Sequence, residues 1–415
     1  MLTGQYPMDC RFCNTPLTHK ILDLGSSPLA NGYLPANNLP DHEPYYPLQL
    51  YRCTTCQLVQ LNFEVAPSGI FNEQYSFLSS SAYTWKKHCE RYAGELEGRF
   101  GKNGLGLIVE IGVNDGTLLE LLKPVGRQLL GIDPAESATN MAKEKGLPVV
   151  TGFFTNALAK KLAGDGMHAD LVVANNVLAH VPNINDFMGG IASMLGENGI
   201  ATIEFPYLPN VIKDCQFDTV YHEHFFYFSL TAIQKIVTAH HLQVFDIKPL
   251  EIHGGSLRVY LKRATNFNMG TMPVVGQMLE MEMKAGIETN GYYMGLQAKA
   301  ETIRQVFLSW LEKVLAEGKK VMAYGAAAKG NTFLNFAGVT NSQIPFIADV
   351  TLQKQGKLLP GSHLPIVAPD QIETFKPDYI VALPWNYKTE INQRLAYTKQ
   401  WGCKIVYFIP GFEVY

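Results

Sequence analysis

Twice along this chain, short runs of β-branched and apolar residues alternate with amphipathic stretches of helical length, and few folds accept that pattern. In the middle of the sequence the runs are LIVEIG, LLGID, LVVANNV and IATIEFP. Strands that each return through a helix lie parallel, so the pattern predicts a parallel sheet flanked by helices. LQVFDIKPL and SLRVYLKRA follow without a helix between them and predict an antiparallel hairpin at the sheet edge. The stretch from Met272 to Ala316, rich in Met and Glu, reads as helical and joins two layers. KVMAYG, IPFIAD, LPIVAP, YIVALP and KIVYFIP then repeat the alternation, which predicts a second, smaller nucleotide-binding-like sheet. At 415 residues the chain exceeds a single core, and it divides into blocks 1–66, 67–300 and 301–415.

Apolar residues make up 47% of the chain and charged ones 17%, which fills such cores and argues against overall disorder. A net charge of -3 exerts no general pull on a polyanion, and no basic patch stands out, so no nucleic-acid partner is expected. The opening MLTGQYPMDC has neither a basic start nor an apolar stretch, and no later apolar run is long enough to span a membrane. A cytoplasmic protein without membrane attachment is the expectation. The oligomeric state stays open, with a monomer admissible.

Of seven cysteines, four form two pairs, Cys10-Arg-Phe-Cys13 and Cys53-Thr-Thr-Cys56, while Cys89, Cys215 and Cys403 stand alone. Two such turns clasp a tetrahedral Zn2+, and four thiolates close its coordination sphere, so the metal is expected to be structural. Its binding energy would fold a first block whose apolar content is too small for its own core. A redox pair or a coincidence of cysteines is the alternative, and a DNA-binding role is disfavoured by the scarcity of basic residues.

In Val109-Glu110-Ile111-Gly112-Val113-Asn114-Asp115-Gly116-Thr117 a strand ends in a glycine-bearing turn that opens a helix. Charge sharpens this reading. Glu110 and Asp115 would repel a pyrophosphate but suit the sulfonium and ammonium of S-adenosylmethionine, which favours that cofactor over NAD. Asp133 ends the next strand, where a carboxylate accepts hydrogen bonds from ribose hydroxyls. Asn175 and Asn176, with Phe153 or Phe154 over the adenine, complete the expected cofactor edge. The alternative is an ordinary turn in which Asp115 merely caps the helix.

Between Phe217 and Phe228 six aromatic residues interleave with titratable ones in FDTVYHEHFFYF, which predicts a desolvated pocket. An extended segment would send Tyr221 and Glu223 to one side and His222 and His224 to the other. The two histidines could instead pair on a metal, or lie buried on backbone carbonyls. A third feature lies near the C-terminus. In Ala323-Tyr324-Gly325-Ala326-Ala327-Ala328-Lys329-Gly330-Asn331 the strand-turn-helix returns with a lysine and no carboxylate, a loop suited to an anion such as a substrate pyrophosphate. Asp349 and Trp385-Asn386-Tyr387 follow later strands at the same edge.

Together the paired CxxC turns, VEIGVNDGTLL, NNVLAHVPN, EFPYL, YHEHFFYFS and GAAAKGNTFLN resemble the sugar C-methyltransferases of branched-chain deoxysugar biosynthesis, in particular those acting at C-3 of dTDP-4-keto sugars. The resemblance spans nearly the whole chain, and YHEH is its most specific part. It implies an α/β chain with a Rossmann-like class I methyltransferase domain, an N-terminal zinc-binding lobe and a smaller Rossmann-like C-terminal domain. It implies S-adenosylmethionine and a structural Zn2+ as cofactors and a nucleotide sugar as the small-molecule substrate. It implies His224 as the base, with Tyr221, Glu223, His180 and Tyr75 around the sugar. Val113 stands where that family usually has a small residue.

The chemistry accounts for these residue types. A proton beside a ketone is removed to give an enolate, and neutral imidazole is a suitable acceptor near pH 7 without large tuning. Glu223 is expected to orient the imidazole, and Tyr75, Tyr221 or His180 to donate a hydrogen bond to the enolate oxygen. Ser79 and Ser80, in SFLSSSAY, are expected beside a substrate phosphate together with Lys329 and Asn331. Two rival functions stand beside this one: a methyltransferase acting on another acceptor, such as a small carbonyl metabolite or RNA, and a non-methylating NAD-binding protein with two Rossmann-like sheets.

Overall fold

The computed structural model describes residues 9–37, 42–63 and 78–415. Its centre is a seven-stranded sheet in the order Leu242–Leu250, Ser256–Arg263, Leu195–Pro206, Ala169–Asn175, Leu105–Ile111, Gly126–Asp133 and Val149–Thr151. The last five pair in parallel, and the first two form the antiparallel hairpin against Leu195–Pro206. Leu105–Ile111 and Ala169–Asn175 are buried almost throughout, as strands covered on both faces must be, and their unbroken apolar runs follow from that.

A second sheet, in the order Ile366–Val367, Ile347–Ala348, Val321–Tyr324, Tyr379–Ala382, Lys404–Tyr407 and Glu413–Val414, is parallel except for its last strand. The two sheets repeat a detail. Asp133 accepts from the amide of Asn114 in the preceding turn and from that of Ala135, while Asp349 accepts from the amides of Ala326 and Thr351 in the same way. In each sheet the carboxylate ending one strand latches the turn after its neighbour. The Met272–Ala316 stretch is two helices, Pro273–Ala285 and Leu296–Ala316, parted where Gly286 and Gly295 take left-handed conformations.

The N-terminal lobe is not closed on itself. His19–Ser27, Tyr46–Arg52 and Val59–Leu61 form an antiparallel sheet whose fourth strand, Phe226–Tyr227, comes from just beyond His224. Leu34–Pro35 pairs with Lys357–Leu358, which lies between the second and third runs of the second repeat. The long gap between the CxxC pairs thus holds three strands, one of which, Leu34–Pro35, ties the lobe to the C-terminal part of the chain. Among the described residues no helix is long and apolar enough to cross a membrane.

Val113, where the resembling family prefers a small residue, is buried against Gly131 on the neighbouring strand. A Cβ at Gly131 would lie 2.8 to 2.9 Å from three Val113 side-chain atoms. The bulk at one position is therefore accommodated by its absence at the other. Gly131→Ala is expected to cost about 1–3 kcal/mol by overpacking, read by denaturant unfolding, and adding Val113→Ala should return most of it. Additive losses in the double variant would disprove the coupling.

Candidate active site

The parallel strands of the central sheet end at one edge, and a cavity of 640 Å3 opens over it, bordered by all three parts of the chain. Its floor is the turn after Leu105–Ile111. Gly112 has φ 74°, and a Cβ there would lie 2.4 Å from Val177, so both backbone and space require glycine. Glu110, Asn114, Asp133, Asn175 and Asn176 border the cavity here. Burial lifts the Glu110 carboxyl well above its ordinary range, and the nearby Asp133 and Asp115 push it the same way. Burial raises Asp133 as well, against the two amide hydrogen bonds it accepts.

Glu110 Oε2, both amide atoms of Asn175 and Nδ2 of Asn176 are buried without a hydrogen-bond partner. A ligand with a cationic amine, hydroxyls and ring nitrogens satisfies that mixed set, and its positive charge relieves the crowded carboxylates. The residues fit S-adenosylmethionine. Phe154 borders the cavity but also packs edge-on to Phe187 at 5.4 Å, whereas Phe153, 47% exposed, stands at the rim.

Two expectations on this side change. Asp115 does not border the cavity: its carboxylate accepts from the Thr117 amide and hydroxyl and from the Ser80 amide, so it holds the turn instead of facing a ligand. Desolvation raises its pKa, but those hydrogen bonds and Lys145 leave it lowered overall. Ser79 and Ser80, expected beside a phosphate, lie on this acidic turn, where their amides donate to Asn114 and Asp115 at 2.9 Å; Ser79 borders the cavity and Ser80 does not.

Also bordering the cavity, the chain turns tightly from Tyr221 to His224, whose amide donates to the Tyr221 carbonyl at 2.9 Å. The segment is therefore not extended. Tyr221 and His224 stand together, with ring centroids 4.1 Å apart and the Tyr221 hydroxyl 2.8 Å from His224 Nε2. Nδ1 lies 2.9 Å from the Thr219 carbonyl, which only accepts, so Nδ1 carries the proton and Nε2 is the basic nitrogen. Orientation of the imidazole thus comes from Thr219 and not, as expected, from Glu223, which accepts from the Asn31 amide at 2.7 Å. His180 meets the His224 ring edge-on at 4.7 Å. His222 points the other way, against Tyr46 and Phe63, and bonds the Pro47 carbonyl. Tyr75 lies outside the described residues.

Burial dominates the electrostatics. It holds the His224 imidazole well below its ordinary value, helped by His180, Lys329 and His253, a larger shift than the sequence suggests. It lowers His180 to about 4 and raises Glu223 to about 7, the latter against the Asn31 hydrogen bond and Lys354. Lys329, Lys354 and Lys357 also border the cavity. Lys329 Nζ is buried without a hydrogen-bond partner, 4.8 Å over the Trp385 ring, whose Nε1 donates to Asp218. Asn331, expected beside Lys329 at the ligand, faces inward: 1% exposed, it donates to the Ala30 carbonyl and does not border the cavity.

Sequence reasoning missed the contribution of Asn31, Tyr33, His253, Thr351 and Lys354. Tyr33 and Lys354 both donate to the Ala326 carbonyl at 2.8 Å, which fixes the turn before Lys329. Nothing in NGY or QKQGK marks them locally; only Lys354's place after Asp349, at the strand-end edge, is a signal. The four cysteine sulfurs all lie within 4.8 Å of one another. Asn14 and Gln57, each following the second cysteine of its pair, take left-handed conformations, as matching knuckle turns do. The donor set fits Zn2+.

Comparison with known proteins gives three matches in chain order. Residues 10–71 match a zinc binding domain family, 84–246 a methyltransferase domain family and 251–410 the C-methyltransferase C-terminal domain family. C-methyltransferase NovU of Streptomyces niveus is 33% identical over 386 residues, covering 93% of this chain and 91% of NovU. A ubiquinone biosynthesis O-methyltransferase of Rhizobium etli (strain CIAT 652) is 28% identical over 140 residues, 32% of this chain and 55% of that protein. A crystal structure of magnesium protoporphyrin IX methyltransferase from Synechocystis PCC 6803 covers 43% of this chain and 79% of that one, at 16% identity and a TM-score of 0.33, too low to carry an inference. With its zinc-binding region, its methyltransferase sheet and its C-terminal domain all matched, the chain belongs to the S-adenosylmethionine-dependent C-methyltransferase family that includes NovU.

Proposed function

We propose that this enzyme methylates C-3 of a nucleotide 4-keto-deoxysugar, with dTDP as the nucleotide, in branched-chain deoxysugar biosynthesis. The observation that carries the reading is the mixed charge of one cavity: Glu110 and Asp133 from the central sheet, lysines 329, 354 and 357 from the C-terminal part, and His224 all border the same space. Two unlike ligands suit such a cavity, a cationic methyl donor and an anionic acceptor. When bound, S-adenosylmethionine supplies an electrophilic methyl group.

The residues then divide the task. His224, neutral through burial, takes the C-3 proton on Nε2 once the acceptor displaces the Tyr221 hydroxyl from it. Thr219 steadies the opposite nitrogen and accepts the stronger hydrogen bond as the ring becomes charged. Tyr221 or His180 donates to the enolate oxygen, and the lysines favour the negative charge there. Burial makes His224 a weaker base than free imidazole, so this stabilisation of the enolate is what makes the transfer feasible. NovU is named a C-methyltransferase, which agrees with a carbon acceptor.

The test is incubation of the purified protein with S-adenosylmethionine and dTDP-4-keto-deoxysugars. A mass gain of one methyl is expected, together with exchange of the C-3 hydrogen for solvent deuterium when the donor is withheld. A protein that methylates a small carbonyl metabolite or RNA, and none of these sugars, overturns the reading.

A further inference from the structure

His253 belongs to the turn Ile252–Gly254 of the edge hairpin, far along the chain from the YHEH segment, and it borders the same cavity. The turn is held under constraint. His253, Gly254 and Gly255 have φ of 57°, 85° and 103°, three left-handed residues in a row. A Cβ on Gly254 would lie 2.4 Å from Trp385, one on Gly255 2.2 Å from Asn210, and Gln216 donates to the Gly254 carbonyl. A histidine in a left-handed conformation costs free energy that a glycine there would not.

Its side chain is held on three sides. Trp85 lies against the imidazole at 5.5 Å and against His88 at 5.1 Å, and Tyr387 meets it edge-on at 6.3 Å. His88 in turn bonds Glu204 at 3.0 Å, and Arg258, 1% exposed, bonds the same carboxylate at 2.7 Å. Yet no described group hydrogen-bonds either ring nitrogen of His253, and neither nitrogen is among the sealed, unpartnered polar atoms. The fold thus fixes the ring and leaves its nitrogens open to the cavity. Burial, with Lys329 adding to it, lowers the group to about 3, so it stays neutral at physiological pH and offers one donor and one acceptor.

We propose that His253 is an acceptor-binding residue, hydrogen-bonding an oxygen of the sugar beside Lys329. The inference rests on the reading of the cavity given above. A neutral imidazole selects hydroxyl or keto oxygens where the lysines select negative charge, so it would contribute discrimination among sugars that carry the same nucleotide.

The experiment compares wild type, His253→Phe, which keeps a ring against Trp85, and His253→Gly, which suits the left-handed backbone. In both variants the KM for the dTDP-4-keto-sugar should rise about tenfold, the loss of one hydrogen bond, with the Kd for S-adenosylmethionine unchanged and the chain folded by circular dichroism. A folded variant whose acceptor KM equals that of wild type overturns the inference, as does an equal loss of donor affinity. His253→Gly carries the test if the Phe variant does not fold. A wild-type enzyme that turns over no nucleotide sugar instead removes the proposed function, and this inference with it.

Discussion

Replacing His224 by Asn should lower turnover by roughly 10²–10⁴-fold, the usual contribution of a positioned base, while S-adenosylmethionine binding measured by calorimetry stays at the wild-type level. The separation follows from the structure, because Glu110 and Asp133 lie on the central sheet and His224 belongs to a separate turn, Tyr221–His224. The pH profile adds a second check. The imidazole's value is lowered, so it remains unprotonated as pH falls through 6.5, and the acid limb of kcat/KM should sit below that point. Glu223 is raised to about 7, so a carboxylate acting as base would instead place the limb near neutrality. A limb near 7 that vanishes in Glu223→Gln, or near-normal turnover in His224→Asn, transfers the role away from His224.

Removing the zinc should be the most damaging single change to the fold. Apparent binding free energies of structural Zn2+ sites are about 10–16 kcal/mol, comparable to the whole stability of a domain. Metal analysis should find one zinc per chain at Cys10, Cys13, Cys53 and Cys56, whose sulfurs already converge. Cys53→Ser, or extraction by a strong chelator, should release the N-terminal lobe and abolish turnover, followed by circular dichroism and protease sensitivity. Phe226–Tyr227 pairs with Val59–Leu61, so the damage reaches the segment that carries His224. Unchanged Tm and activity in zinc-free protein would refute a structural metal.

Most strands of both large sheets were legible because parallel strands buried on two faces leave long apolar runs between helices, whereas the short edge strands Val149–Thr151 and Glu413–Val414 were not. LIVEIG and KVMAYG announce themselves for that reason. The zinc ligands were legible because two CxxC pairs have few other uses. What escaped was whatever depends on chain reversals and on partners distant in sequence. Alternation would order the side chains of YHEH only in an extended segment, and the segment is a tight turn, so it does not. Asp115 reads as a ligand carboxylate or as a cap of its own turn; it bonds Thr117 two residues on, while Ser80, far back in the chain, takes its other oxygen and could not be foreseen. Asn31 and Lys354 reach the cavity from loops of ordinary composition, and only the assembled chain brings them to Glu223 and Ala326.

The strand exchange around the cavity also bears on protein engineering. Leu34–Pro35 is paired with Lys357–Leu358, and Tyr33 and Lys354 close on one carbonyl. Swapping a C-terminal segment from a relative to change the acceptor would therefore bring in a foreign half of these contacts. Productive chimeras should carry both ends of the chain from the same parent and graft only the donor-binding middle.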